Sequence, residues 1–121
     1  MIRALLFLFW EFLKHSVRNR LKPRIKADKF PTGMGSFGFE STNPIPCAGF
    51  HGPRRYLEAI KFSDGKSFRF ERQGSTGEEN IPAEIIDYYD IYKDGKDFGQ
   101  LFLAPFQKRT SRKLPEGFSQ K

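Results

Sequence analysis

Cysteine and histidine are scarce in this chain of 121 residues, and their scarcity excludes two kinds of structure. Cys47 is the single cysteine, so no internal disulfide can form, which excludes a disulfide-stapled secreted scaffold and fits a reducing compartment. One cysteine with two histidines, His15 and His51, is also a poor ligand set for a structural zinc ion. We therefore expect neither a metal nor a small-molecule cofactor.

The sequence also lacks an apolar run long enough to cross a membrane. The longest such stretch, near the N-terminus, covers about 12 residues, or about 18 Å of helix, against a bilayer core of about 30 Å. No small-residue cleavage site follows it, which argues against a secretory signal, whereas its acid-poor, arginine-containing character leaves a mitochondrial presequence open. We expect a cytoplasmic protein, or one that lies peripherally on the inner face of a membrane.

Phenylalanine, by contrast, is abundant. The 14 phenylalanines and 4 tyrosines supply much of the volume for a core, and aromatic residues favour β-strands. A chain of this length suits one domain, since domains commonly have about 100–150 residues. Composition therefore predicts a single small domain that contains a β-sheet.

The net charge of +7 is concentrated in one short segment. Residues 1–13 sum to zero, residues 14–29 to +6, and residues 30–121 to +1. A nearly neutral body with one basic arm is typical of a protein that contacts an anionic surface, whether lipid, nucleic acid or an acidic protein.

Residues 2–21 have the periodicity of an amphipathic helix, which Pro23 would end. The apolar face is wider than a normal core stripe in its first turns. Because interfacial binding requires an apolar helix beside a basic segment, we expect a contact surface for an anionic membrane or a protein partner. The predicted contacts are Leu6, Phe9, Trp10, Leu13, Arg18, Arg20, Lys22, Arg24 and Lys26. The alternative is a core helix with a solvated basic face.

Residues 22–55 contain too many prolines and glycines for a long helix or strand. We predict an ordered extended wrap with one short edge strand at residues 36–40. The G-x-G-x-x-G pattern of nucleotide-binding loops occurs at residues 33–38, but no strand precedes it and no helix follows it, so we assign its glycines to the wrap. The residues expected to pack on the core are Phe30, Phe37, Phe39, Ile45 and Phe50.

Asp94-Gly95 indicates the clearest tight turn in the chain. It joins Ile85–Lys93 to Phe98–Phe106, and both flanking segments have strand character. These segments are therefore predicted to form a β-hairpin.

Ser63-Asp64-Gly65 indicates a second turn, and here two interpretations remain. A three-residue loop with Gly65 left-handed would pair residues 56–62 with 66–72 and keep the apolar residues on one face. Residues 53–61 also fit a short helix with Pro53 in its first turn. The pattern alone does not separate hairpin from helix.

Two sets of residues have side chains of the types used in catalysis. Cys47 and His51 lie four residues apart, which allows a thiol–imidazole pair, but a nucleophile also needs an oriented base, and the glycines around this pair predict a turn. A small ribonuclease would use His51 as base, Glu58 or Glu71 as acid, and the arginines at 54, 55, 69 and 72 on the phosphate. Neither set stands out from ordinary buried or exposed side chains, so we predict a protein that is not an enzyme, with a Cys47/His51 hydrolase as the minority interpretation.

Two basic segments are candidates for nucleic-acid contacts: the arm of residues 14–29 and the tail Lys108–Lys113. Phosphate contacts need Lys and Arg, and single-strand binding adds stacking by aromatic rings. The arm has only Phe30 at its edge, and no RNA-recognition or helix-turn-helix pattern is present. Nucleic acid is therefore an alternative to the membrane or protein partner.

A set of short motifs runs from Asn43 to the end of the chain. They are Asn43-Pro44-Ile45-Pro46, Tyr56-Leu57, Asp64-Gly65, Arg72-Gln73-Gly74-Ser75, Ile86-Asp87-Tyr88-Tyr89 and Pro115-Glu116-Gly117-Phe118, and they span roughly two-thirds of the chain. In these motifs the chain resembles a group of small uncharacterised bacterial proteins. Some relatives carry histidines near the last strand, where this chain has Phe106, Gln107 and Lys108, which argues against a metal or acid–base role there. The resemblance implies no known activity.

The sequence thus predicts an α+β fold. An N-terminal amphipathic helix and basic arm would occupy residues 1–29, and a single domain with an antiparallel meander sheet of about four strands would occupy residues 30–121. The predicted function is a non-catalytic binding or accessory module that docks on an anionic membrane surface or a protein partner. The alternatives are a basic nucleic-acid-binding protein and a small toxin-neutralising or effector-type protein.

Overall fold

The computed structural model describes residues 24–121, which fold mainly as β-structure. Strands account for 39% of these residues and helix for 7%, so the prediction of an α+β fold is wrong. The predicted N-terminal helix at residues 2–21 lies outside the described residues. The elements are β1 (Ile45–Ala48), α1 (Gly52–Glu58), β2 (Ile60–Phe62), β3 (Arg69–Thr76), β4 (Ile86–Lys93), β5 (Lys96–Gln107) and β6 (Phe118–Gln120).

The larger sheet has four strands in the order β1-β5-β4-β3. β3 and β4 are antiparallel, as are β4 and β5, but β1 runs parallel to β5. The predicted all-antiparallel meander is therefore also wrong. No tight turn joins β1 to β5, so the local sequence does not fix their relative direction as it does within a hairpin.

The hairpin predicted around Asp94-Gly95 is confirmed as β4 and β5. Lys93 lies opposite Lys96, and both turn residues have positive φ, 52° for Asp94 and 76° for Gly95. Two consecutive left-handed residues make a type I′ turn, whose twist matches that of the flanking strands. This is the part of the fold that local sequence determines.

The turn at residues 63–65 forms without the predicted hairpin. Gly65 is left-handed as expected, with φ 89°, and its N–H donates to the Phe62 carbonyl at 2.9 Å. β2, however, pairs with the distant β6, where Phe62 lies opposite Phe118. The residues before β2 form α1, in which Pro53 occupies the first turn, so the helix alternative is confirmed and the hairpin is wrong.

The two faces of the larger sheet carry two hydrophobic clusters. On one face, α1 and the small β2–β6 sheet pack over residues such as Ile45, Leu101 and Leu103. On the other face, Phe30 and Ile81 pack against Ile86, Ala104 and their neighbours. Rings fill much of the first cluster, and Phe62 stacks on Phe118 at 4.7 Å between ring centroids.

The glycine- and proline-rich wrap packs on the core only in part. Phe37 and Ile45 are buried, whereas Phe50 is 73% exposed, contrary to prediction. The expected edge strand at residues 36–40 is wrong, because this segment turns at Gly38, which has φ 80°. A Cβ at Gly38 would lie 3.0 Å from both Ile45 and Pro115, so the turn permits close packing that a strand with side chains would prevent.

Candidate functional site

The described part of the basic arm packs against the basic tail, and Asp28 holds the two together. Oδ1 of Asp28 accepts hydrogen bonds from the Arg109 guanidinium at 2.8 Å and from the Arg112 backbone N–H at 2.9 Å. The Asp28 carbonyl accepts one from the Ser111 hydroxyl at 2.5 Å, and Arg109 also donates to the Lys26 carbonyl at 2.6 Å. One acidic residue thus aligns two basic segments that are distant in sequence.

We call the surface formed by these two segments the basic patch. Its side chains are exposed except for the half-buried Arg109. Within its segments Asp28 is the one acidic residue, whereas the rest of the described chain holds nine basic and twelve acidic residues. The net positive charge of the described domain therefore lies in the patch, an arrangement that attracts polyanions. The patch consists of Arg24, Lys26, Lys29, Lys108, Arg109, Arg112 and Lys113.

The basic tail is fixed to the body along the outer edge of β1. The Ser111 N–H donates to the Pro46 carbonyl at 2.8 Å, and the Thr110 hydroxyl accepts from the Ala48 N–H at 2.9 Å. These bonds pair backbone groups of a strand edge that would otherwise need water or another strand. The patch is therefore presented on an ordered part of the fold.

A cleft with a volume of about 380 Å³ lies where α1 begins, beside the sheet. Aromatic and aliphatic side chains line it together with a few charged groups, a combination that also occurs in ligand sites. Three of its residues, Arg54, Arg72 and Tyr89, also line a more open groove next to it. The cleft is lined by Phe50, His51, Arg54, Arg72, Ile85, Asp87, Tyr89, Pro105 and Phe106.

Asp87 fixes the direction of the Arg72 guanidinium in this cleft. Asp87 is only 7% exposed, and its Oδ1 accepts hydrogen bonds from Arg72 Nη2 at 3.1 Å and from the Ser75 hydroxyl at 2.8 Å. The Arg72 side chain itself remains 51% exposed. A buried carboxylate thus holds an accessible cation in place, with donors left over for another acceptor.

Phe106 lines the cleft in a strained backbone conformation. Its φ is 66°, a left-handed value that costs a residue other than glycine about 1–2 kcal/mol. It belongs to a β-bulge, because two residues of β5, Pro105 and Phe106, face the single residue Cys47 of β1. Bulges redirect side chains and are common near functional sites, and retained strain of this kind points the same way.

Cys47 lies in β1 opposite the bulge and is fully buried. Burial, with a smaller contribution from the Asp87 carboxylate, raises the pKa of the Cys47 thiol, so the thiolate is disfavoured. His51 is exposed and packs edge-on against Phe50, with 5.0 Å between ring centroids. This arrangement gives no support to a Cys47/His51 hydrolase.

The glycine-rich segment at residues 33–38 differs from a phosphate-binding loop in two respects. The Ser36 N–H, a group that such loops point at phosphate, donates instead to the Glu40 carboxylate at 2.5 Å. Turns rather than a helix follow the segment. At Gly38 the absence of a side chain permits close packing against Ile45 and Pro115.

The structure places the predicted site residues in three groups. Arg24 and Lys26 belong to the basic patch. Of the ribonuclease set, His51, Arg54 and Arg72 line the cleft, while neither proposed acid, Glu58 or Glu71, does. The predicted contacts outside the described residues are Leu6, Phe9, Trp10, Leu13, Arg18, Arg20 and Lys22.

Sequence reasoning missed the aromatic and acidic parts of the cleft, Phe50, Phe106, Asp87 and Tyr89. One pattern pointed to the bulge: Pro105 interrupts an apolar strand, and proline within a sheet is confined to edges, strand starts and bulges. No local pattern indicates that residues 50, 72, 87 and 106 converge, since they belong to separate elements.

Comparison of the chain with protein-family models, with curated proteins and with solved structures found no match. Within residues 24–121, no helix combines the length and the apolar character needed to cross a membrane. Across the same residues, no group of three or more His, Cys, Asp or Glu is arranged to hold a metal ion. The resemblance to small bacterial proteins stays a prediction.

Proposed function

We propose that this protein is a non-catalytic binding module of the cytoplasm whose basic patch contacts single-stranded nucleic acid. The observation that carries the proposal is the clamp at Asp28, which binds Arg109, 81 residues away in sequence, and so fixes the basic tail beside the basic arm. A run of basic residues on one disordered tail would be common, whereas two segments fixed side by side form a surface of defined shape. Such a surface can contact several phosphates of one strand at once.

Nearby rings favour a single strand over other polyanions. Phe106 lies two residues before Lys108 of the patch and contacts the exposed Phe50, with 6.2 Å between ring centroids. Proteins that bind single strands combine a basic track with rings on which bases stack. The expectation of membrane docking depended on residues 2–21, which lie outside the described residues, so anionic vesicles are the competing outcome of the test.

The test measures the salt dependence of binding by the full-length protein. A fluorescent single-stranded RNA oligonucleotide of mixed sequence is titrated by anisotropy at a series of salt concentrations. Replacing Lys108 and Arg112 by glutamine should weaken binding and flatten the slope of log K against log salt by about 1.4, since each lost phosphate contact removes about 0.7. The matched control replaces Lys96 and Lys121, which are exposed but lie outside the patch, and should leave the slope unchanged.

Two outcomes contradict the proposal. In one, both double variants weaken binding of the oligonucleotide equally. The affinity would then depend on the net charge of the protein and not on the patch. The other is flotation of the protein with anionic vesicles without measurable binding to RNA, which would identify a lipid surface as the partner.

A further inference from the structure

The cleft at the start of α1 has the properties of a small-molecule site. Its volume of about 380 Å³ falls within the range of about 300–1,000 Å³ that is usual for such sites. Two guanidinium groups line it, together with two phenyl rings whose centroids are 6.2 Å apart. This combination fits a ligand in which an anionic group is joined to a flat ring.

We infer that this cleft binds a nucleotide, with the phosphate at Arg54 and Arg72 and the base against Phe50 and Phe106. The planar guanidinium fork matches phosphate oxygens in pairs. Phenyl rings accept a nucleobase by stacking, whichever base it is. His51 and Tyr89, which also line the cleft, supply hydrogen-bonding groups for the sugar or the phosphate.

Both arginines are available to an incoming phosphate. Arg54 pairs with Glu58 at 3.0 Å, but the two side chains are 70% and 53% exposed, and an ion pair this open to solvent is easily exchanged. Arg72 is held by Asp87 and Ser75 through Nη2 alone in the described structure, so its other N–H groups can donate to a ligand. Because Arg72 is already ordered, binding loses little side-chain entropy.

The ring side of the cleft has a second, independent indication of a ligand. Phe50 is 73% exposed although it follows the buried strand β1, and Phe106 is held in a left-handed bulge. Neither ring belongs to the two hydrophobic clusters of the described domain. An exposed ring and a strained ring that meet at one cleft are better explained by contact with a ligand than by core packing.

Two sources can present this chemistry: a free mononucleotide, or the terminal nucleotide of a strand held by the basic patch. The inference does not rest on the proposed function, because the patch residues Lys108 and Arg112 do not line the cleft. A protein with the Lys108→Gln and Arg112→Gln changes should therefore still bind a free nucleotide, so failure of one proposal is distinguishable from failure of the other.

The experiment titrates the full-length protein with adenosine 5′-monophosphate by calorimetry and by NMR. Adenosine, which lacks the phosphate, and ribose 5-phosphate, which lacks the base, should each bind about tenfold or more weaker. Arg54→Gln, Arg72→Lys and Phe106→Gly should each reduce the affinity for the nucleotide by about fivefold or more. Arg72→Lys keeps a cation beside the buried Asp87, and glycine tolerates the backbone of Phe106, so both variants are expected to fold. Lys96→Gln is the control and should bind as the unaltered protein does.

The two sources are separated with a single-stranded oligonucleotide that carries, or lacks, a 5′-phosphate. A preference for the phosphorylated strand that Arg72→Lys removes would assign the cleft to a strand end, and binding of the free nucleotide without that preference would assign it to a free ligand; either supports the inference. The inference is overturned if the mononucleotide gives neither heat nor chemical-shift changes at millimolar concentration. It is also overturned if adenosine binds as tightly as the nucleotide, or if folded Arg54→Gln and Arg72→Lys proteins bind it unchanged.

Discussion

At the scale of single residues, Cys47 and Tyr56 link burial to the stability of the fold at alkaline pH. Burial is the main cause that raises the pKa of each group, so both stay protonated in the folded protein after the unfolded chain has lost their protons. Their stabilising contribution is complete below the ordinary pKa values, about 8.5 for a thiol and 10 for a phenol, and falls as pH rises above them. Each group then removes up to about 1.4 kcal/mol of unfolding free energy per pH unit.

Cys47→Ala isolates the contribution of the thiol. The variant loses about 1 kcal/mol at neutral pH through the small cavity. Between about pH 8.5 and 10 its unfolding free energy should decline less steeply with pH than that of the unaltered protein, because no thiol remains to ionise. Urea unfolding at a series of pH values measures both slopes. Identical slopes would show that Cys47 is not protected as its burial indicates.

Two glycines with similar backbone angles differ in what surrounds them. Gly38 and Gly65 have φ of 80° and 89°, but a methyl group at Gly38 would meet Ile45 and Pro115 at 3.0 Å, whereas nothing lies within 4 Å at Gly65. We expect Gly65→Ala to cost about 1–2 kcal/mol for the left-handed backbone, and Gly38→Ala about 2–4 kcal/mol because overpacking is added. Denaturant midpoints measure the difference, and equal losses would contradict the close packing of the wrap.

At the scale of elements, the short strand β6 matters more than its length suggests. Its Phe118 contacts the rings of Phe39, Phe62, Phe68 and Phe98 and is 5% exposed. Phe118→Ala should therefore destabilise the fold by about 3–5 kcal/mol, the range for a buried phenylalanine. Thermal or urea unfolding measures this loss.

Phe98→Ala is the matched control for the same ring cluster. Phe98 is 46% exposed, so its removal should cost about half as much as that of Phe118. Equal losses of unfolding free energy in the two variants would contradict the conclusion that the ring of β6 contributes most to this cluster.

At the scale of the whole molecule, the same ion pair can stabilise the fold and reduce the positive charge that is available for binding. Asp28 stabilises the contact of arm and tail, yet it also occupies Arg109 through an ion pair at 2.8 Å. Asp28→Asn keeps the side-chain oxygen that accepts from the Arg112 N–H, but the loss of its charge weakens the hold on the Arg109 guanidinium. The variant should lose about 0.5–1.5 kcal/mol of stability and bind single-stranded RNA with a salt slope steeper by about 0.7.

Both quantities are measured on the same preparation, by urea unfolding and by anisotropy at varied salt. A variant with lower stability and an unchanged slope would mean that Arg109 does not reach phosphate in either protein. Loss of both stability and binding would mean that the clamp, and not the number of cations, gives the patch its affinity.

The sequence by itself determined the features that depend on neighbouring residues. The Asp94-Gly95 hairpin and the left-handed Gly65 follow from backbone preferences that act over a few residues. The concentration of net charge in the arm of residues 14–29 was equally plain in the sequence. Tertiary structure was not needed for any of these.

Only the tertiary structure determined which distant strands and side chains are neighbours. β1 pairs with β5 and β2 with β6 across long stretches of chain, so their partners and directions depend on which apolar faces can be buried together. For the same reason, no local sequence pattern predicts the clamp at Asp28 or the cleft, because their residues come from separate parts of the chain. Local preferences fix turns because the interacting groups are tethered close together, whereas distant strands and side chains meet only when the whole core closes.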